Sequence, residues 1–357
     1  MESIQARTSE AVALLSRLIA VPSISREEAQ AADVFEAYLR QRGLSPCREG
    51  NNVWVVSPSD KDSKRGALLL NAHLDTVKPV AGWTRDPFTP TLEGGRLYGL
   101  GSNDCGGGLV ALTQAALPFL LGEKQSSFGS VVLLASAEEE VSGKDGIERV
   151  LPLLPPLSAA IVGEPTGMQP ATSEKGLMVI DAVAHGRAGH AARDEGDNAI
   201  YKALQDIDLL ARHSQDLFPD CSPQLGPVRT TVTIIQAGTQ HNVIPDRCTF
   251  TIDVRSTDCY DNLRILSILR EHLQSELTPR STRLQPSSIA TNHPLVQHCI
   301  ALGMKPFGSP TLSDQALLRC PSLKLGPGQS ARSHTADEFI LVEEIQQAIE
   351  TYDRIIA

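Results

Sequence analysis

The sequence predicts an α/β fold: a main domain built on a helix-flanked mixed sheet, interrupted by an inserted α+β module. Three observations point there. Helical apolar periodicity alternates with short, almost purely apolar runs in the first half of the chain. Three of those runs are followed at once by acidic or histidine residues. Near Lys175 the texture changes to half-apolar strands and amphipathic helices, and after Asn292 the first texture returns. Residues 1–176 and 289–357 are therefore assigned to the main domain and 177–288 to the insert.

The elements follow in order. Over 9–19, Val12, Leu14, Leu15, Leu18 and Ile19 recur at helical spacing, and Pro22 ends the pattern. A second helix is expected over 29–42, closed by Gly43 as a C-cap, before an extended run over 52–56. The runs 67–70, 131–135 and 159–162 are too short for helices and bounded by turn or polar residues, as buried strands are. A helix over 109–117 follows a glycine-dense turn. In the insert, Leu177, Val179, Asp181 and Val183 alternate as on a half-exposed strand. A helix over 198–213, strands over 230–236 and 248–255, a helix over 263–277 and a last strand near Arg283 are then expected. A helix over 342–356 closes the chain.

Composition narrows the function. The 357 residues carry a formal net charge of -10 and no basic run interleaved with aromatics, which excludes nucleic acid as an expected partner. No stretch reaches the ~20 apolar residues of a membrane helix, and the polar start lacks a signal-peptide pattern. Seven scattered cysteines with no Cys-x-x-Cys pair suit a reducing cytoplasm, the expected location.

The chemistry gathers where the apolar runs end, which in open α/β sheets is where ligands bind. After the first come His73 and Asp75, a candidate ligand and its orienter, although an isolated pair of this kind also suits a capping role. After the second come Glu138, Glu139 and Glu140; three anions clustered at a buried strand end are costly unless cations neutralise them. Glu164 follows the third. Asp104 sits in the glycine-dense turn, either as a turn aspartate or as a carboxylate bridging two metal ions, and His334 lies in a polar segment after Gly326 and Gly328.

Together these pieces resemble the M20 metallopeptidase family, which includes acetylornithine deacetylase and succinyl-diaminopimelate desuccinylase. The resemblance spans VPSIS at 21–25, HLDT at 73–76, GSNDCGGG at 101–108, SAEEEV at 136–141, VGEPT at 162–166, GHA at 189–191, NVIP at 242–245 and SHT at 333–335. It implies a zinc-peptidase-like catalytic domain with a ferredoxin-like insert acting as a lid and dimerisation domain. It further implies two zinc ions per subunit, with cobalt or manganese as substitutes. His73 and Glu164 would hold one ion, Glu140 and His334 the other, and Asp104 would bridge them. Glu139 would be the general base and Asp75 the residue that orients His73. His190 and Asn242 would polarise the scissile carbonyl, Arg255 would pair with the substrate carboxylate, and Glu138 receives no role. Relatives commonly have lysine where this chain has Gly106.

The activity so implied is removal of an N-acyl group from a small amino acid. N-acetylornithine in arginine biosynthesis is the leading expectation, with N-acetylcitrulline and N-succinylornithine as close variants. The alternatives are succinyl-diaminopimelate desuccinylase, or a dipeptidase or carboxypeptidase with the same metals. A non-catalytic binding protein of the same fold is disfavoured because every ligand position and Glu139 are present. A homodimer joined through the insert, with His190 serving the partner's site, is expected from the resemblance.

Overall fold

The computed structural model describes residues 2–58, 66–193 and 195–357. They form two compact units: Met1–Thr172 with Ile289–Phe307 and Ser313–Ala357, and Ser173–Ser288 with Gly308–Leu312.

In the first unit the three apolar runs are neighbouring parallel strands. Ala67–His73 lies between Ser130–Ser136 and Leu157–Val162. Ser322–Lys324 continues the sheet in parallel beyond the last of these, and Asn52–Val56 pairs antiparallel on the opposite side. Every residue of Ala67–His73 is buried, which is why its sequence shows no polar alternation. Because these strands are parallel, their carboxyl ends share one edge.

Helices Ile4–Ile19, Gly107–Leu120 and Val342–Ile356 pack on one another around a core that includes Leu14, Leu15, Leu70, Leu112, Leu133 and Ile349. Only Pro118 of Gly107–Leu120 escapes full burial, so this helix is apolar on every side. The first helix begins earlier than its apolar spacing suggests, because the Ser3 hydroxyl accepts the Ala6 N–H at 3.2 Å and caps it. The three helices are also tied by charge. Arg7 forks onto Asp353 at 2.5 and 2.8 Å and donates to the Gln114 carbonyl at 2.8 Å. Removing one partner of such a pair strands a buried charge, so Arg7→Ala is expected to cost about 3 kcal/mol. Urea denaturation would show this as a lower midpoint.

The short elements escaped the sequence reading, among them Ser322–Lys324, helix Pro294–Ala301 and one ribbon that matters for the site. A three-stranded ribbon joins Thr91–Glu93, Arg96–Tyr98 and Phe339–Leu341. Three-residue strands carry too little alternation to be read from a single sequence.

The second unit is a four-stranded antiparallel sheet in the order Arg229–Ala237, Arg247–Ser256, Gly176–His185, Glu276–Pro279. With helices Ala199–Arg212 and Asn262–His272 it has the strand-helix-strand-strand-helix-strand sequence of a ferredoxin-like module. Its core is formed by Met178, Ile180, Ala182 and Ala184, the parity opposite to the half-exposed Leu177, Val179, Asp181 and Val183. The last helix is shorter than expected over 263–277. Leu273 turns extended, and the buried Asp206 carboxylate captures the backbone N–H groups of Gln274 and Ser275 at 3.0 and 2.9 Å and the Ser275 hydroxyl at 2.6 Å. The final strand therefore starts at Glu276 rather than near Arg283. Among the described residues no helix is long and apolar enough to cross a membrane.

Candidate metal centre

Strand pairing places the first groups. His73 ends its strand opposite Ser136, the end of the neighbouring strand, and Glu164 follows Val162 by two residues on the other side. The Ser130–Ser136 strand runs into a single helical turn, Glu139–Val141. Asp75 holds that turn in place: its carboxylate accepts the N–H groups of Glu139 and Glu140 at 3.0 and 3.1 Å and the Ser25 hydroxyl at 2.6 Å. The His73 ring is instead oriented by the Asp75 backbone carbonyl, 2.8 Å from Nδ1. A carbonyl only accepts, so Nδ1 carries a proton, and Nε2 is the nitrogen turned toward the carboxylates and the one that would be offered to a metal ion.

Asp104 sits where the glycine-dense turn meets helix Gly107–Leu120. The helix start presses against the strand end so closely that a Cβ on Gly108 would lie 1.9 Å from the Gly163 carbonyl oxygen. Gly106 is equally constrained, because a Cβ there would meet the Gly101 carbonyl oxygen at 2.5 Å and Leu15 at 2.6 Å. The lysine common in relatives has no room at this position.

The side chains converge in two groups that share Asp104. His73 Nε2 lies 3.3 Å from Asp104 Oδ1, 3.7 Å from Glu164 Oε1 and 3.9 Å from Glu139 Oε2. His334 Nε2 lies 3.5 Å from Asp104 Oδ2 and 2.9 Å from Glu140 Oε2. Ligand atoms of His73, Asp104 and Glu140 all fall within 4.8 Å of one another, as do those of His73, Cys105 and Glu164. Cys105 was not singled out from the sequence. Its sulfur accepts the His73 backbone N–H at 3.1 Å, and burial pushes its thiol well up, so it stands as a neutral group beside His73.

Electrostatics mark the cluster as one built for cations. Burial, and next the charge of Asp104, push Glu164 up to about 8. Burial and then Glu164 push Glu139 well above the usual carboxylate range. His334 is raised to about 9, chiefly by its hydrogen bond to Glu140. Burial also acts to raise Asp104, but the hydrogen bond and charge of His73 outweigh it and hold the group low. Glu164 Oε1 is buried without a hydrogen-bond partner. A buried carboxylate oxygen left unpaired beside an imidazole nitrogen fits a metal ligand, and the histidine and carboxylate donor set suits zinc.

The remaining predicted residues lie in the second unit. His190, exposed, pairs with Val243 in a two-stranded ladder, and the Asn242 carbonyl accepts the Ala191 N–H at 3.0 Å, so His190 and Asn242 are neighbours. Arg255 forks onto Asp253 at 2.8 and 3.2 Å and stands opposite Arg229 in register. The Lys175 ammonium is lowered by burial first, and next by the charges of Arg229 and Arg255, which makes this a cationic patch.

The family model described as Peptidase family M20/M25/M40 matches residues 69–357, a span that includes every one of these site residues. The chain belongs to this family. As an M20 member it is a metal-dependent hydrolase of amide C–N bonds. Over 382 aligned residues it is 28% identical to the succinyl-diaminopimelate desuccinylase of Cereibacter sphaeroides, with 97% of each chain covered. Among solved structures it is similar to aminopeptidase PepT of Bacillus cereus, with a TM-score of 0.76 at 18% identity over 98% of both chains. It is also similar to a dinuclear metal-binding M20 peptidase of Bacillus subtilis, with a TM-score of 0.70 at 17% identity over 99% of this chain and 98% of the other. These two likenesses carry the fold that the sequence resemblance implied, the helix-flanked mixed sheet with its inserted module.

Proposed function

We propose that the protein is a dinuclear zinc desuccinylase acting on an N-succinyl diamino acid of the succinyl-diaminopimelate class. The observation that carries the metal chemistry is Asp104, whose two oxygens each face a different histidine. His73 and Glu164 would hold one ion and His334 and Glu140 the other. When bound, two such ions would supply Lewis acidity, lowering the pKa of a water molecule and polarising the amide carbonyl. Glu139, whose carboxylate lies 3.9 Å from His73 Nε2 at the edge of the cluster, would take the proton of the attacking water and return it to the leaving amine. His190 and Asn242 donate to the carbonyl oxygen as it gains charge.

The relatives favour this substrate class over the acetylornithine expected from sequence, since the desuccinylase similarity covers nearly the whole of both chains. Lys175, Arg229 and Arg255 cluster in the second unit, with Arg255 also paired to Asp253, and would offer partners for the extra carboxylate that a succinyl substrate brings over an acetyl one. A homodimer formed through the second unit is part of the proposal: its edge strand Arg229–Ala237 exposes Ile234 and Ile235, each 51% accessible.

A substrate panel tests the reading. The kcat/KM for N-succinyl-diaminopimelate is expected to exceed those for N-succinylornithine, N-acetylornithine and N-acetylcitrulline. Preference for N-acetylornithine would overturn it. Arg255→Lys is expected to raise KM about tenfold, because one ammonium cannot replace the two parallel hydrogen bonds of a guanidinium. An unchanged KM would remove the carboxylate contact.

A further inference from the structure

We infer that Glu338 is a positioning residue of the metal centre, one that fixes where the Asp104 carboxylate stands. The inference rests on the metal-centre reading proposed above. Glu338 is 2% exposed, and its carboxylate accepts three backbone N–H groups of a single turn: Gly101 at 3.0 Å, Asn103 at 2.8 Å and Asp104 at 2.9 Å. Such a cradle holds the peptide immediately before the shared ligand from one side. Its own backbone carbonyl accepts the Gly99 N–H at 3.0 Å, and the following residues Phe339–Leu341 pair with Arg96–Tyr98.

Four residues before Glu338 on the same segment stands His334. The segment thus supplies one ligand to the centre and grips the turn that carries another. Asn103 adds a second tie between the same two stretches, donating to the Gln329 carbonyl at 3.1 Å and the Ser333 hydroxyl at 3.2 Å while accepting the Gln329 N–H at 3.0 Å. The spacing between Asp104 Oδ2 and His334 Nε2, 3.5 Å, is therefore set by a clamp in which Glu338 makes three of the bonds. His334 is about half exposed, whereas His73 is buried, so the His334 side has less packing to hold its ligands if the clamp loosens.

The test is cobalt binding to the full chain, read by visible absorption and by titration, with activity set aside. Wild type is expected to bind two ions. Glu338→Gln offers the turn one acceptor oxygen and an NH2 group that cannot receive an N–H, so the weaker-binding equivalent should lose affinity by about tenfold or more, the range found when residues supporting a ligand are replaced. Glu338→Asp keeps the charge but withdraws it by one methylene, and should fall between the two. Circular dichroism and cooperative melting establish folding, and if Glu338→Gln does not fold, Glu338→Asp carries the test alone. A folded variant that binds both ions with wild-type affinity and spectrum would show that Glu338 merely stabilises the turn, overturning the inference while leaving the metal centre intact. A wild-type chain that binds no cobalt would instead remove the metal-centre reading, and this inference with it.

Discussion

Glu139→Gln is expected to retain two metal ions and to lose about 10³-fold in turnover, within the range ascribed to a positioned acid-base group. Glu140→Gln is expected to lose metal. The two residues are adjacent in sequence yet reach different surroundings. The Glu140 carboxylate sits 2.9 Å from His334 Nε2, in the geometry of a shared ligand set, whereas Glu139 comes no nearer to His73 Nε2 than 3.9 Å. Asp75 serves both, since it takes the N–H of each and so fixes the turn from which they diverge. Elemental analysis alongside steady-state rates decides the matter, and equal metal loss in the two variants would end the division of roles.

Mixing inactive His190→Ala and Glu139→Ala subunits is expected to restore activity. In a symmetric dimer whose His190 serves the partner's centre, each hybrid has one site with both groups intact and one with neither. Random exchange of equal amounts makes half the dimers hybrids, so recovery should approach about a quarter of the wild-type rate. His190 is exposed and its Nδ1 accepts the Ala192 N–H at 3.1 Å, so Nε2 is the ring nitrogen that would donate to substrate. Subunits shown to exchange, for example by mass-tagged mixing, but remaining inactive would place His190 in its own subunit's site.

Much of the fold was legible because parallel strands buried on both faces are nearly pure apolar runs, and their ends are where polar residues become informative. The runs at 67–70, 131–135 and 159–162 could be read as buried strands from sequence, whereas their adjacency, with Ala67–His73 in the middle, came from the pairing. What remained hidden depends on pairing between distant stretches. Asp206 stops a helix more than fifty residues away by capturing N–H groups at 274 and 275, and nothing near either position announces it. Glu338 reads as an ordinary acidic residue until the ribbon brings it under the turn at 101–104. The role of Asp75 was legible only in part: the carbonyl steadies the imidazole, and the carboxylate was free to organise Glu139 and Glu140. Gly106 in place of lysine could be noted but not explained until the distance to the Gly101 carbonyl was known.

The short ribbon that pairs Arg96–Tyr98 with Phe339–Leu341 has a consequence for how the molecule is made. During synthesis His73, Asp104, Glu140 and Glu164 leave the ribosome long before His334 and Glu338. Until the final stretch arrives, the turn at 101–104 lacks the carboxylate that cradles it, and the cluster lacks His334. On the proposed assignment the second ligand set is complete only once this stretch is in place, so occupancy of that site would report on whether the carboxyl-terminal helix Val342–Ile356 has docked.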